Sequence, residues 1–200
     1  MIGAWRRQFE NDFPFYYVQI APYASYETPY EAALLMEQQT RSLSYPKTGM
    51  VVITDLVDNI KSQHPLNKSD VGLRLANIAL AETYKKPIPA PVYLNPKYKR
   101  MDATKGKIDL YFDNAPNGFK VKGDGVATEF LIAGSDQNFL PAEVKLENDK
   151  IVVSNKLITN PVAVRFSFSN TAMSNVFNKE GLPVMPFRTD NWEVIQMKQR

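Results

Sequence analysis

"FPFYYVQIAPY", residues 13–23, is apolar and aromatic with no polar alternation. A run of that kind suits a strand covered on both faces, and strands so covered belong to parallel sheets flanked by helices. The stretch after it reads as helical. Thr28 is placed to cap, Pro29 to take the first helical position, and Glu31 to close a capping box. Ala32, Leu35, Met36 and Leu43 then share one stripe. Gln39 falls on the same stripe, where an amide needs a partner, so it is a helix-edge residue or a support for something polar. "GMVVITD", residues 49–55, repeats the buried-strand pattern and ends in Asp55. A loop holding His64 leads to a helix from about Leu66 to Tyr84, with Val71, Leu75, Ile78 and Ala79 on one face. This alternation predicts a doubly wound α/β sheet, in which ligands sit beyond the carboxyl ends of the strands. His64, the single histidine of the chain, lies in a loop after such an end.

The pattern changes after the Pro-rich stretch "KKPIPAPVYLNPKY". Ile108, Leu110 and Phe112 alternate with Asp109, Tyr111 and Asp113, and Val162, Val164, Phe166 and Phe168 alternate with Ala163, Arg165 and Ser167. Shorter apolar runs between Gly, Asn and Asp turn signals complete the reading of an antiparallel β-sandwich. The expected organisation is therefore an α/β portion over residues 1–90 and a β-sandwich module over residues 91–200.

Bulk properties narrow the function. The chain has 200 residues and 44% hydrophobic composition, enough for a large core. A net charge of +3 with scattered lysines and arginines gives no footprint for nucleic acid, and no apolar stretch has the length of a membrane span. With no cysteine and one histidine, disulfide staples, cysteine zinc sites and histidine-rich metal sites are excluded.

Two expectations follow from what the α/β portion lacks. Its two strands alone would both be edges with apolar faces, so the sheet calls for strands from an upstream half or from another chain. A histidine base also needs a nucleophile, yet the sequence holds no Gly-Asp-Ser block after a strand, no G-x-S-x-G elbow and no cysteine. Gly134, Ser135 and Asp136 come in the wrong order within a β-turn, and Ser25 and Ser154 stand in no motif.

Several segments together resemble the sialate O-acetylesterase-like branch of the SGNH hydrolases. "WRRQFENDFPFYYVQIAPY" is similar to that family's helix and strand with a Trp-Arg pair, a Phe-Pro-Phe and a Val-Gln. "TGMVVITDLVDNIKSQHPLNKSDVGLRLANIALAETY" resembles its histidine block, in which His-Pro-x-Asn-Lys opens a long helix. "KIDLYFDNAPNGF", "FLIAGSDQNFLPAEVKLENDKIVVSN", "NPVAVRFSFSN" and "NKEGLPVMPFRTDNW" are similar to its C-terminal β portion. The resemblance implies the C-terminal part of an SGNH, flavodoxin-like parallel-sheet domain followed by an antiparallel β-sandwich portion. It implies a secreted or periplasmic serine esterase that removes acetyl groups from O-acetylated carbohydrate and needs no cofactor. It also implies that the nucleophile and oxyanion-hole blocks lie upstream, so that this chain alone is inactive and supplies His64 as general base.

One departure concerns the acid. Many members of the family carry an aspartate two residues before the histidine, where this chain has Ser62. A serine accepts a hydrogen bond from the imidazole but does not stabilise imidazolium as a carboxylate does, so the orienting partner is Ser62, Asp55 or Asp58. Two other functions compete. One is a non-catalytic carbohydrate-binding or structural β-module, with Tyr111, Phe187 and Trp192 stacking on sugar rings. The other keeps the esterase chemistry and takes acetylated xylan as substrate.

Overall fold

The structure, a computed structural model, describes residues 1–123 and 125–194. Residues 195–200, the end of the expected second module, lie outside it. The α/β portion runs α1 (Ile2–Gln8), β1 (Phe15–Val18), α2 (Glu31–Arg41), β2 (Thr48–Val51), α3 (Lys68–Ile78) and α4 (Ala90–Tyr93). β1 and β2 pair in parallel, Phe15 opposite Thr48 through Val18 opposite Val51, and form a sheet of two strands. α3 covers one face of the pair, where Val51, Ile53 and Ile78 form a small core with Tyr16, Val18, Val71 and Leu75. Gly49 permits that approach: a Cβ there would lie 2.8 Å from Ile78 Cγ2 and 2.9 Å from Tyr16 Cδ1. The other face of the sheet packs Met50 and Val52 against Met185, which arrives from the β portion.

Coverage is less even than the sequence predicts. Met50, Val51, Val52, Ile53 and Thr54 are all buried, whereas every residue of β1 is only half-buried. The outer edge of β1 explains this, because backbone groups there alternate. The N–H groups of Phe15 and Gln19 bond Lys47 O and Val51 O on the β2 side, which places those of Tyr16, Val18 and Ile20 on the open edge. Gln39 partly closes that edge: its Oε1 accepts from Ile20 N–H at 3.0 Å and its Nε2 donates to Val18 O at 3.4 Å. The amide on the helical stripe thus completes a strand.

α2 begins at Glu31, two residues later than the capping pattern suggests. Thr28 N–H does reach Glu31 Oε2 at 3.3 Å, but Tyr30 turns to a φ of 66°, so regular helix starts only beyond it. The cap comes from 138 residues away: Asn170 Oδ1 accepts from Ala32 N–H at 2.9 Å, and Asn170 Nδ2 donates to Thr28 O at 2.8 Å. Ala32, Ala33 and Met36 are buried, while Leu35 is exposed.

The β portion contains β3 (Lys97–Thr104), β4 (Lys107–Asp113), β5 (Phe119–Val121), β6 (Phe130–Ala133), β7 (Leu140–Pro141), β8 (Glu143–Leu146), β9 (Ile151–Ser154), β10 (Ala163–Phe166), β11 (Val176–Asn178) and β12 (Phe187–Arg188). Two antiparallel sheets of four strands, ordered β3-β4-β9-β8 and β12-β10-β6-β7, are joined by the short β11-β5 pair. Ile108, Leu110, Ile151 and Val153 from the first sheet share one core with Phe130, Ile132, Val164, Phe166 and Phe187 from the second. Burial departs from the period of two on both strands: on β4 Asp109 is buried beside Ile108 and Leu110, and on β10 Ala163 and Arg165, with Ser167 after them, are buried as well as Val164 and Phe166. Arg165 is accommodated because Asp190 grips it from both carboxylate oxygens at 2.9 Å and the Phe139 ring lies 4.2 Å from its guanidinium carbon. Next to it Arg188 reaches back to α2 and donates to Glu37 Oε1 at 3.0 Å and Oε2 at 3.2 Å. Asn170, Met185 and Arg188 therefore tie the β portion to the parallel pair.

Candidate active site

His64 sits in the segment that connects the carboxyl end of β2 to α3, and it is exposed. The helix after it starts as the His-Pro-x-Asn-Lys pattern predicts. Asn67 is the N-cap, its Oδ1 accepting from Asp70 N–H at 3.1 Å while its Nδ2 donates to Asp70 Oδ2 at 2.8 Å. Pro65 is buried, and Lys68 Nζ donates to its carbonyl. A cavity of about 330 Å³ lies beneath the loop, lined by Ile20, Ala21, Ile53, Gln63, Pro65 and Val71. It opens where β1 and β2 end, the place an α/β sheet reserves for ligands.

The three residues expected to orient the imidazole are engaged elsewhere. Ser62 Oγ accepts from the backbone N–H of His64 at 3.1 Å, so it turns the chain and does not touch the ring. Asp58 Oδ1 accepts from Leu66 N–H at 3.2 Å and closes the loop across the histidine. Asp55 is 5% exposed and bound by Arg74, with Nη1 and Nη2 donating to its two oxygens at 2.8 and 2.7 Å. Among the described residues, none of the three carboxylate or hydroxyl groups hydrogen-bonds the His64 ring. The structure brings these residues together as the framework of a loop, with the imidazole left facing outward.

Arg74 is the residue that the sequence reading missed. It stands three residues after Val71 and four before Ile78, on the apolar stripe of α3, where a guanidinium requires a buried acceptor. Asp55 at the end of a buried strand was the available carboxylate. Gln39 holds the backbone of Val18 and Ile20 at the end of β1, and the Tyr17 hydroxyl donates to its carbonyl at 2.6 Å.

The aromatic residues considered for sugar stacking are not presented together. Phe187 is part of the sandwich core, and its ring stacks on Tyr98 at 4.8 Å. The Arg100 guanidinium lies 3.7 Å from the centre of the Tyr111 ring and covers it. Trp192 packs edge-on against Phe139 at 5.7 Å. No cluster of three or more metal-ligating side chains occurs among the described residues, nor does any helix among them have the length and apolarity to cross a membrane.

No family profile and no curated protein matches this chain. Among solved structures, the crystal structure of a novel carbohydrate acetylesterase from Xanthomonas citri is similar to it, with a TM-score of 0.86 and 38% sequence identity. The similarity covers 96% of this chain and 45% of that one, so the chain spans a little under half the length of the esterase it matches. The two-stranded parallel pair, the two sandwich sheets and the histidine loop thus form a carbohydrate-esterase-like fold that corresponds to one part of a longer enzyme of known structure.

Proposed function

We propose that this chain is the histidine-bearing part of a serine carbohydrate O-acetylesterase of the sialate O-acetylesterase-like SGNH type, acting outside the cytoplasm on acetylated sugars. One observation carries the reading. A chain that matches a carbohydrate acetylesterase over nearly its whole length presents its single histidine at the carboxyl ends of two parallel strands. In this reading His64 takes the proton from a serine hydroxyl as its oxygen attacks the acetyl carbonyl carbon. The imidazolium then returns that proton to the sugar oxygen as the C–O ester bond breaks, and a water repeats the sequence to release acetate.

The serine belongs to an upstream half of the same protein, which also extends the sheet. Support comes from the sheet itself: β1 is half-buried throughout, the backbone of Tyr16 lies on the open edge, and Trp5 and Phe9 of the adjoining segment are exposed. An added strand meets Tyr16 first and stops where Gln39 holds Val18 and Ile20.

The test has two arms. Alone, the chain is expected to hydrolyse an aryl acetate no faster than its His64→Ala variant. Combined with the nucleophile-bearing segment, it is expected to gain turnover on acetylated sugars that His64→Ala abolishes. A His64-dependent rate in the isolated chain that a serine-directed reagent removes would place the nucleophile within these 200 residues and overturn the assignment.

A further inference from the structure

Leu56 and Val57 pack the start of the His64 loop against the small core, but beside His64 itself the loop lies over an apolar cavity to whose lining it contributes only Gln63 and Pro65. Hydrogen bonds add to this: Ala24 N–H donates to Ile60 O at 2.8 Å in mid-loop, and at the start of the loop three bonds come from one cation. Arg74 donates to Val52 O at 2.7 Å and to both oxygens of Asp55 at 2.8 and 2.7 Å. Asp55 is the residue from which the loop departs, and Arg74 stands on the helix at which it arrives. The guanidinium therefore ties the start of the loop to the body of α3, six residues beyond Lys68 where the helix begins, while Asp58 to Leu66 N–H and Ser62 to His64 N–H shape the span between.

A buried ion pair is an expensive way to gain stability, because desolvating two charges offsets most of their attraction. Arg74 is 13% exposed and Asp55 5%. What such a pair supplies is geometry, since the planar fork of an arginine meets a carboxylate in one orientation only. We propose that Arg74 is a positioning residue for His64, acting through its clamp on Asp55 and Val52. The inference rests on the reading of His64 as the base and adds to it that Asp55 serves the loop and not the imidazole ring.

The chain offers a direct readout, because one histidine gives one set of imidazole signals in an NMR spectrum. Arg74→Gln is expected to speed amide exchange about tenfold or more in residues 56–66 while leaving the sandwich strands unchanged, and to shift the His64 backbone and ring signals as the loop samples other geometries. Arg74→Lys, which keeps the charge and loses the fork, is expected to recover only part of the protection. Asp55→Asn provides the same comparison if Arg74→Gln does not fold, with faster exchange again confined to the loop. Unchanged ring signals and loop exchange in these variants would overturn the proposal, as would faster exchange spread evenly over both portions. The measurement needs no turnover, so it separates failure of the clamp from failure of the esterase reading, which His64→Ala in the combined enzyme tests.

Discussion

β1 and β10 are strands of four residues each with opposite surroundings. Every residue of β10 is buried, including an arginine, whereas every residue of β1 is half-exposed. β10 has β6 on one side, β12 on the other, the opposing sheet across its core, and Asp190 for its one charge. β1 has β2 on one side and a single glutamine side chain on the other. The sandwich closes its own core, while the parallel pair borrows its coverage: Met185 for one face, Asn170 for the cap of α2, and Arg188 for Glu37. The portion that carries the candidate chemistry is thus the portion whose structure is left open, and its openness lies along the edge where further strands would add.

That contrast is strained most by removing Asp190. Its carboxylate holds Arg165 and lies 3.6 Å from Arg188, which in turn bridges to α2. Asp190→Ala leaves Arg165 buried without its partner, a change expected to cost about 3–5 kcal/mol in denaturant unfolding. A single transition for both portions is expected, because the parallel pair leans on the sandwich through the same residues. Two separated transitions would show that residues 1–90 stand without the β portion.

Asn170→Ala acts on one side of the contrast only. It removes the cap from Ala32 N–H and the bond to Thr28 O, for an expected loss of about 1 kcal/mol. Amide exchange is expected to rise in α2 and in the Gln39-held end of β1 while the sandwich core stays as it was. Equal loosening of the sandwich would mean that the dependence runs both ways.

The smallest effect is electrostatic. Burial pushes the Glu129 carboxyl up from its ordinary value. A raised folded value means that folding favours the protonated form, a contribution present below the unfolded value near 4.5 and lost as pH rises through the folded one. Glu129→Gln is expected to raise the unfolding midpoint slightly at pH 7, with the gain vanishing below about pH 4. On the outer face of the other sheet, burial also raises Asp109, but hydrogen bonds from Lys150 and Lys107 outweigh it and hold the carboxyl below its ordinary value. Asp109→Asn is expected to show the opposite sign: a loss at pH 7 that disappears as acid protonates the wild-type group.

Much of this architecture was legible in local pattern. The unbroken apolar runs at 13–23 and 49–55 predicted parallel strands, the alternation at 108–112 predicted a sandwich strand, and a helix was expected from about Leu66, two residues before α3 begins. What escaped were pairings across long separations. No periodicity within residues 28–41 announces that Asn170 caps their helix, and the alternation through Arg165 read as outward-facing until Asp190 and Phe139 closed over it. At the candidate site the sequence offered Ser62, Asp55 and Asp58 as partners of the imidazole, and in the structure they hydrogen-bond to backbone or to Arg74. Proximity in sequence to a histidine does not distinguish a bond to its ring from a bond to its chain.

The comparison between β1 and β10 is tested most directly by residue-resolved amide exchange on the intact chain. The account predicts exchange in residues 15–18 at least about a hundredfold faster than in residues 163–166, since opening at an uncovered edge costs far less than opening in a closed core. Equal protection of the two strands would contradict it, and would mean that the parallel pair is already complete without an added strand.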